Sequence, residues 1–197
     1  MPRDVARGSL RELTREAVRA RISDAAIELF DEHGFDQVTV EQIAAHVGIS
    51  TRSFNRYFPA KEDAVIGDTT AWGDALCHEL LARPANESAW ESLRISFQTF
   101  LSLADSHDER QKRSIRVLNT APSLRARNLE KHLQWEQRLT PIIAARLDDD
   151  DAQLRARTIV QASLTCFDVA VATWAEPDET RSPAELVAVC FAALQRP

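Results

Sequence analysis

Apolar residues recur at helical intervals along nearly the whole chain. Ile22, Ala25, Ala26, Leu29 and Phe30 fall at i, i+3, i+4, i+7 and i+8, the stripe of an amphipathic helix, and Gly34 then ends it. Residues 39–61, TVEQIAAHVGISTRSFNRYFPAK, break into shorter periods anchored by Ile43, Val47, Ile49 and Phe54. Thr39 with Gln42 three residues later is a capping box, so a short helix starts near Val40. Ala44 and Gly48, four apart, provide a small side chain where two helices cross and a residue tolerant of positive φ in the turn that follows. Ser50 caps a second short helix, leaving Thr51, Arg52, Ser53, Asn55 and Arg56 as polar residues able to face outward.

After Lys61 the pattern stays helical, and the periods predict helices near 61–82, 88–104, 108–119, 123–147, 151–175 and 183–195. Pro141 predicts a kink or restart within the fourth of these, and the run of four aspartates at 148–151 predicts a helix start. Strand signals are absent: the chain has 5 glycines and neither an Asn-Gly nor an Asp-Gly hairpin turn. The expected fold is all-α, with a three-helix helix-turn-helix domain over 1–60 and a larger helical domain over 61–197. In a helix-turn-helix the first short helix braces the second, whose N-terminal side chains reach base edges in the major groove of DNA.

A net charge of -6 looks wrong for a DNA binder until it is divided along the chain. Residues 1–61 hold nine Lys or Arg against nine Asp or Glu, so the whole excess of acid lies beyond them. Within 1–21, six arginines (Arg3, Arg7, Arg11, Arg15, Arg19 and Arg21) face three acids, and two readings stay open. One is a basic arm along phosphates or in a minor groove; the other is a solvated terminus with a helix start at Ser9-x-x-Glu12. Three cysteines, Cys77, Cys166 and Cys190, without short paired spacing argue against a disulfide framework or a zinc ribbon. The charged N-terminus does not read as a signal peptide and no apolar run approaches membrane-spanning length, so a soluble, cytoplasmic protein is expected.

The strings GIS at 48–50, SF at 53–54 and RYFPAKED at 56–63, with AAIELFDEHGFDQVTVEQIA at 25–44, resemble the N-terminal domain of the TetR family of bacterial regulators. The resemblance covers about the first 65 residues. It implies a double-stranded DNA operator as partner, with Thr39, Tyr57 and Lys61 at positions that hold phosphates. Arg52 is the first candidate for base reading, because its guanidinium can take two bonds from guanine; Ser50, Thr51, Ser53 and Asn55 complete the candidate contacts. Asn55 departs from the family, which often carries an aromatic residue there.

Two late segments, IVQASLTCFDVAVATW at 159–174 and AELVAVCFAALQ at 184–195, are apolar around most of their circumference. One side can face the domain's own core and the other a second subunit, which predicts a homodimer through helices near 151–175 and 183–195. Between head and interface lie Trp72, Trp90, Phe97, Phe100 and Trp135, the last amid Arg125, Arg127, Lys131, His132 and Arg138. Trp90, Phe97, Phe100, Arg125 and Trp135 are the candidates for a ligand pocket, although aromatics at helical spacing more often form core. Residues 116–147 are similar to the C-terminal domain of TetR-type regulators related to the mycofactocin-system regulator, some of which take long-chain acyl-coenzyme A. That similarity implies an apolar cavity with a basic mouth.

Together these expectations describe a dimeric repressor released from a palindromic operator when a lipophilic ligand moves the helix beginning at Lys61. An enzyme is disfavoured: His33, His46, His78, His107 and His132 lack metal-ligand spacing, and there is no Gly-rich phosphate loop or G-x-S-x-G. No cofactor or metal is expected. A thiol-based redox sensor using Cys166 or Cys190, and a helical interaction protein that no longer binds DNA, are the alternatives.

Overall fold

The computed structural model describes residues 10–102, 109–148 and 150–195. Arg3, Arg7, Ser9, His107 and Asp149 lie outside the described residues. The chain divides into two compact units, residues 1–67 and 68–197.

The first unit holds α1 (Leu10–His33), a 3-10 turn (Phe35–Gln37), α2 (Val40–Val47), α3 (Thr51–Tyr57) and α4 (Asp63–Ile66). Its core gathers Ile22, Ala26 and Phe30 of α1 with Phe35, Ile43, Phe54, Phe58 and Ala64. Phe30 stacks on Phe35 at 4.8 Å between centroids and Phe54 on Phe58 at 5.7 Å, so ring contacts tie the 3-10 turn to α1 and fix the end of α3. Ser23 on α1 donates its hydroxyl to the Ala64 carbonyl and pins α4.

The second unit holds α5 (Thr69–Leu81), α6 (Ala89–Ser102), α7 (Glu109–Leu118), α8 (Pro122–Ala144), α9 (Ala152–Trp174) and α10 (Pro183–Ala193). Helices α8, α9 and α10 pack in sequence, and α6 closes against α10, α9 and α5. Arg146, just past α8, donates to the carbonyls of Leu80, Arg83 and Pro84 and to the Ser92 hydroxyl, tying the end of α8 to the α5–α6 turn. The described residues contain no strand.

Two sequence expectations change and a third holds. The single helix expected over 61–82 is broken at Gly67, whose φ of 80° and ψ of -157° leave the helical region. Its N–H closes α4 on Asp63, and Asp68 then caps α5 by accepting from the Ala71 N–H, so one polar pair ends a helix and starts the next. Pro141 neither restarts nor ends α8 at once: it sits in the last turn and the helix stops at Ala144. The helix start expected at the aspartate run is observed: Asp151 takes the N-cap position of α9, without a side-chain cap hydrogen bond.

Candidate DNA-reading face and ligand-sensing core

The two short helices are held by their caps. Thr39 accepts from the Gln42 N–H at 3.3 Å while the Gln42 amide oxygen accepts from the Thr39 N–H at 2.7 Å. Gly48 adopts the left-handed conformation, φ 79° and ψ 34°, and its N–H returns to the carbonyls of Ala44 and Ala45. Ile49 N–H bonds the same Ala44 carbonyl at 2.9 Å, which turns the chain sharply. Ser50 then caps α3 by accepting from the Ser53 N–H at 3.1 Å.

With Phe54 fully buried on one side of α3, the opposite side carries Arg52, Asn55 and Arg56, all exposed. Thr51, Ser53 and Tyr57 flank it half-buried, and the Arg56 guanidinium lies over the Tyr57 ring at 5.2 Å. The structure thus brings Thr39, Ser50, Thr51, Arg52, Ser53, Asn55 and Tyr57 onto two adjacent helix N-termini and one helix face. Lys61, expected at a phosphate-holding position, is engaged within its own unit. Its ammonium donates to the Phe35 and Val38 carbonyls at 2.8 and 3.0 Å and lies over the Phe35 ring, so two of three hydrogens brace the turn before α2.

In the second unit Phe97 and Trp135 are almost fully buried and Trp90 and Phe100 partly so. They join one ring cluster with Phe167 of α9 and Phe191 of α10, which are not among the expected pocket residues. Centroids lie 4.5 Å apart for Trp90–Phe191, 5.1 Å for Phe97–Phe167 and 6.1 Å for Phe100–Trp135. Trp135 is anchored twice: its Nε1 donates to the Thr69 carbonyl at 3.2 Å, and Gly73 leaves room for its ring. Arg125 is not brought in; it is exposed and donates to the Asn119 carbonyl at 3.0 Å.

The basic groups that do meet the rings are Lys131 and His132, both only 8% exposed. Lys131 holds its ammonium 4.9 Å from the Trp135 centroid, and burial lowers its pKa to about 8 although Asp168 pulls the other way. His132 Nδ1 faces the Asp168 carboxylate at 3.0 Å, while its buried Nε2 has no hydrogen-bond partner. Glu136, one turn on, is buried and accepts from the Thr140 hydroxyl. The signal for these groups was in the period: Leu124, Lys131, His132, Trp135, Leu139 and Ile143 share the inward face of α8, so charged residues stood at core positions. An open groove of about 400 Å³ lies elsewhere, between Glu109, Lys112, Trp174 and Glu185, and holds none of the expected ligand residues.

On the outer side of α9, Leu154, Thr158, Gln161, Thr165, Val169 and Ala172 follow one another at three- and four-residue steps and are exposed. Val189 and Ala192 of α10 are exposed as well. Cys166 is buried and Cys190 partly so; burial pushes the Cys166 thiol up to about 11 and raises that of Cys190. Among the described residues no group of three or more His, Cys, Asp or Glu is placed to hold a metal, and no helix is long and apolar enough to cross a membrane.

Comparison with known proteins agrees with this geometry. Residues 22–65 match the family described as bacterial regulatory proteins, tetR family, and residues 87–197 match the MftR C-terminal domain. The chain is 32% identical over 161 residues to the HTH-type transcriptional regulator TcmR of Streptomyces glaucescens, covering 77% of this chain and 70% of that protein. It is 28% identical over 183 residues to the putative mycofactocin biosynthesis transcriptional regulator MftR of Mycobacterium tuberculosis, covering 90% and 89%. The transcriptional regulator FadR of Bacillus subtilis, solved in complex with stearoyl-CoA, shares the fold at a TM-score of 0.60 with 22% identity, covering 88% of this chain and 96% of that one. These relatives regulate transcription and are not enzymes. With a helix-turn-helix head matched at its N-terminus and the MftR-type domain matched over more than half its length, the chain belongs to the TetR family of transcriptional regulators.

Proposed function

We propose that this cytoplasmic regulator is a dimeric repressor that occupies a palindromic operator and leaves it when a lipophilic, anionic effector binds the second unit. The observation that carries the DNA half is the exposed face of α3, where Arg52, Asn55 and Arg56 stand opposite the buried Phe54 on a helix capped at both ends. Thr39, Ser50 and Tyr57, with the remaining hydrogen of Lys61, hold phosphates; the free amides at the starts of α2 and α3 attract the same anions. Arg52 reads a base, with Thr51, Ser53 and Asn55 beside it. A dimer is called for because one head buries little surface, whereas two related by a two-fold axis read two half-sites. The exposed stripe on α9 and its neighbours on α10 offer the surface for it.

For the effector, the ring cluster of Trp90, Phe97, Phe100 and Trp135 supplies an apolar wall. Lys131 and the unpartnered Nε2 of His132 supply the positive and hydrogen-bonding groups that Arg125 was expected to give. Stearoyl-CoA in the Bacillus subtilis FadR structure makes a fatty acyl-coenzyme A the first compound to try. The effector acts only through its differential affinity for the DNA-bound and released states. Thiol sensing is the weaker reading, because burial disfavours the reactive thiolate of Cys166 and Cys190.

The test is selection of bound fragments from sheared genomic DNA by the full chain, with Arg52→Ala and Tyr57→Phe alongside. A palindromic motif weakened in both variants supports the reading. Absence of any enriched site at low salt overturns it and favours a helical interaction protein.

A further inference from the structure

Four polar residues follow one another along α8 in steps of four: Asn128, His132, Glu136 and Thr140. Asn128 is partly buried and the other three are buried. Residues four apart stack on one side of a helix, so they form a polar ridge beside the apolar one of Trp135, Leu139 and Ile143. The later half of the ridge is closed. Thr140 Oγ1 donates to Glu136 Oε1 at 3.2 Å, and the Arg157 guanidinium of α9 lies 3.4 Å from the same carboxylate oxygen. The earlier half is open: Asn128 Oδ1 and His132 Nε2 are buried one turn apart, and neither has a hydrogen-bond partner among the described residues.

Chemistry fixes what these two atoms lack. An amide oxygen only accepts. His132 Nδ1 lies 3.0 Å from Asp168 Oδ2, so the neutral ring keeps its proton on Nδ1, toward the carboxylate, and Nε2 presents a lone pair. Two neighbouring buried acceptors therefore call for a donor, since leaving them unmatched opposes folding. The apolar wall adjoins them, with the His132 ring 5.9 Å from that of Trp135, and Trp135 5.8 Å from Phe167 and 6.1 Å from Phe100. A hydroxyl on an apolar body matches this set. A carboxylate or a thioester carbonyl only accepts; it suits the Lys131 ammonium and leaves Asn128 and His132 unmatched.

We infer that the effector carries a hydroxyl group, which donates to Asn128 and His132 while the apolar body lies on the ring cluster and Lys131 remains for the anionic group. This rests on the effector reading above and deepens it, naming the residues by which the second unit distinguishes a hydroxylated lipophile from a plain acyl compound.

The experiment titrates the full chain and an Asn128→Leu/His132→Leu variant with 1-decanol, decyl methyl ether and stearoyl-CoA, read by tryptophan fluorescence because Trp135 stands beside the ridge. The ether keeps the chain and the oxygen but cannot donate. The wild type is expected to bind decanol about tenfold more tightly than the ether, and the variant to bind the two alike. Should the double variant not fold, Asn128→Leu alone, at a partly buried position, is expected to lower the ratio. A wild-type ratio near one, or binding of stearoyl-CoA alone, overturns the inference and leaves the effector reading intact. A ratio that survives in the variants also overturns it, because the hydroxyl is then recognised elsewhere. Failure of all three compounds to bind the wild type overturns both readings.

Discussion

The two units spend their polar groups differently. In the first, the turns are closed by short-range bonds: Thr39 with Gln42, Gly48 with Ala44, Ser50 with Ser53, and Lys61 with the carbonyls of Phe35 and Val38. In the second, a lysine and a histidine are buried against tryptophan, and two buried ring nitrogens, Trp90 Nε1 and His132 Nε2, have no partner. A reading head must present one fixed face, so satisfied caps suit it. On the proposed function the second unit binds an effector, and uncompensated polar atoms beside an aromatic wall are what a ligand with a polar end would satisfy.

The contrast is broken most forcefully at the cores. Trp135→Ala removes a ring only 1% exposed together with its bond to Thr69, and should cost about 3–5 kcal/mol, read as a lowered denaturant midpoint. Phe54→Ala in the first unit should fall in the same range and abolish operator binding.

Lys131 gives the next largest effect, with the opposite sign. Lys131→Met should stabilise the protein by roughly 1–3 kcal/mol, since an apolar chain of similar length replaces a buried charge, while weakening the response to an acyl-coenzyme A. The pH dependence follows from the same burial. The folded pKa of about 8 lies below the unfolded 10.5, so the unfolded chain binds more protons between those values. Wild-type stability should therefore rise as pH increases from about 8 toward 10.5, and the rise should be absent in Lys131→Met. Urea melts at several pH values check both points.

Caps and turns give the smallest effects. Gly48→Ala forces a Cβ onto a residue at φ 79° but meets no atom within 4 Å, so the cost is backbone strain alone, about 1–2 kcal/mol. Thr39→Ala should cost about 1 kcal/mol and weaken operator binding beyond that loss.

How much was legible in the sequence follows the same division. The head could be read because its defining bonds join residues three or four apart, and a capping box or a turn glycine is written in neighbouring letters. Trp135 finds its partners at Thr69 and Gly73, 66 and 62 positions away, and no local pattern encodes that meeting. Arg125 was expected at a pocket mouth because it is basic and near an aromatic in sequence. Lys131 and His132, rather than Arg125, meet the aromatic rings because they share the inward face of α8 with Trp135. The helix expected over 61–82 breaks for a local reason: Gly67 and Asp68 are a stop and a start inside an otherwise helical run.

The central claim, that the outer face of α3 reads DNA sequence, is tested most directly by measuring wild type and Arg52→Ala on a library of single-base variants of the selected site. Arg52→Ala is expected to lose discrimination at one base pair in each half-site, by roughly 1–3 kcal/mol, and to keep it elsewhere. Equal weakening at every position would make Arg52 a phosphate contact, and unchanged binding would remove α3 from the interface.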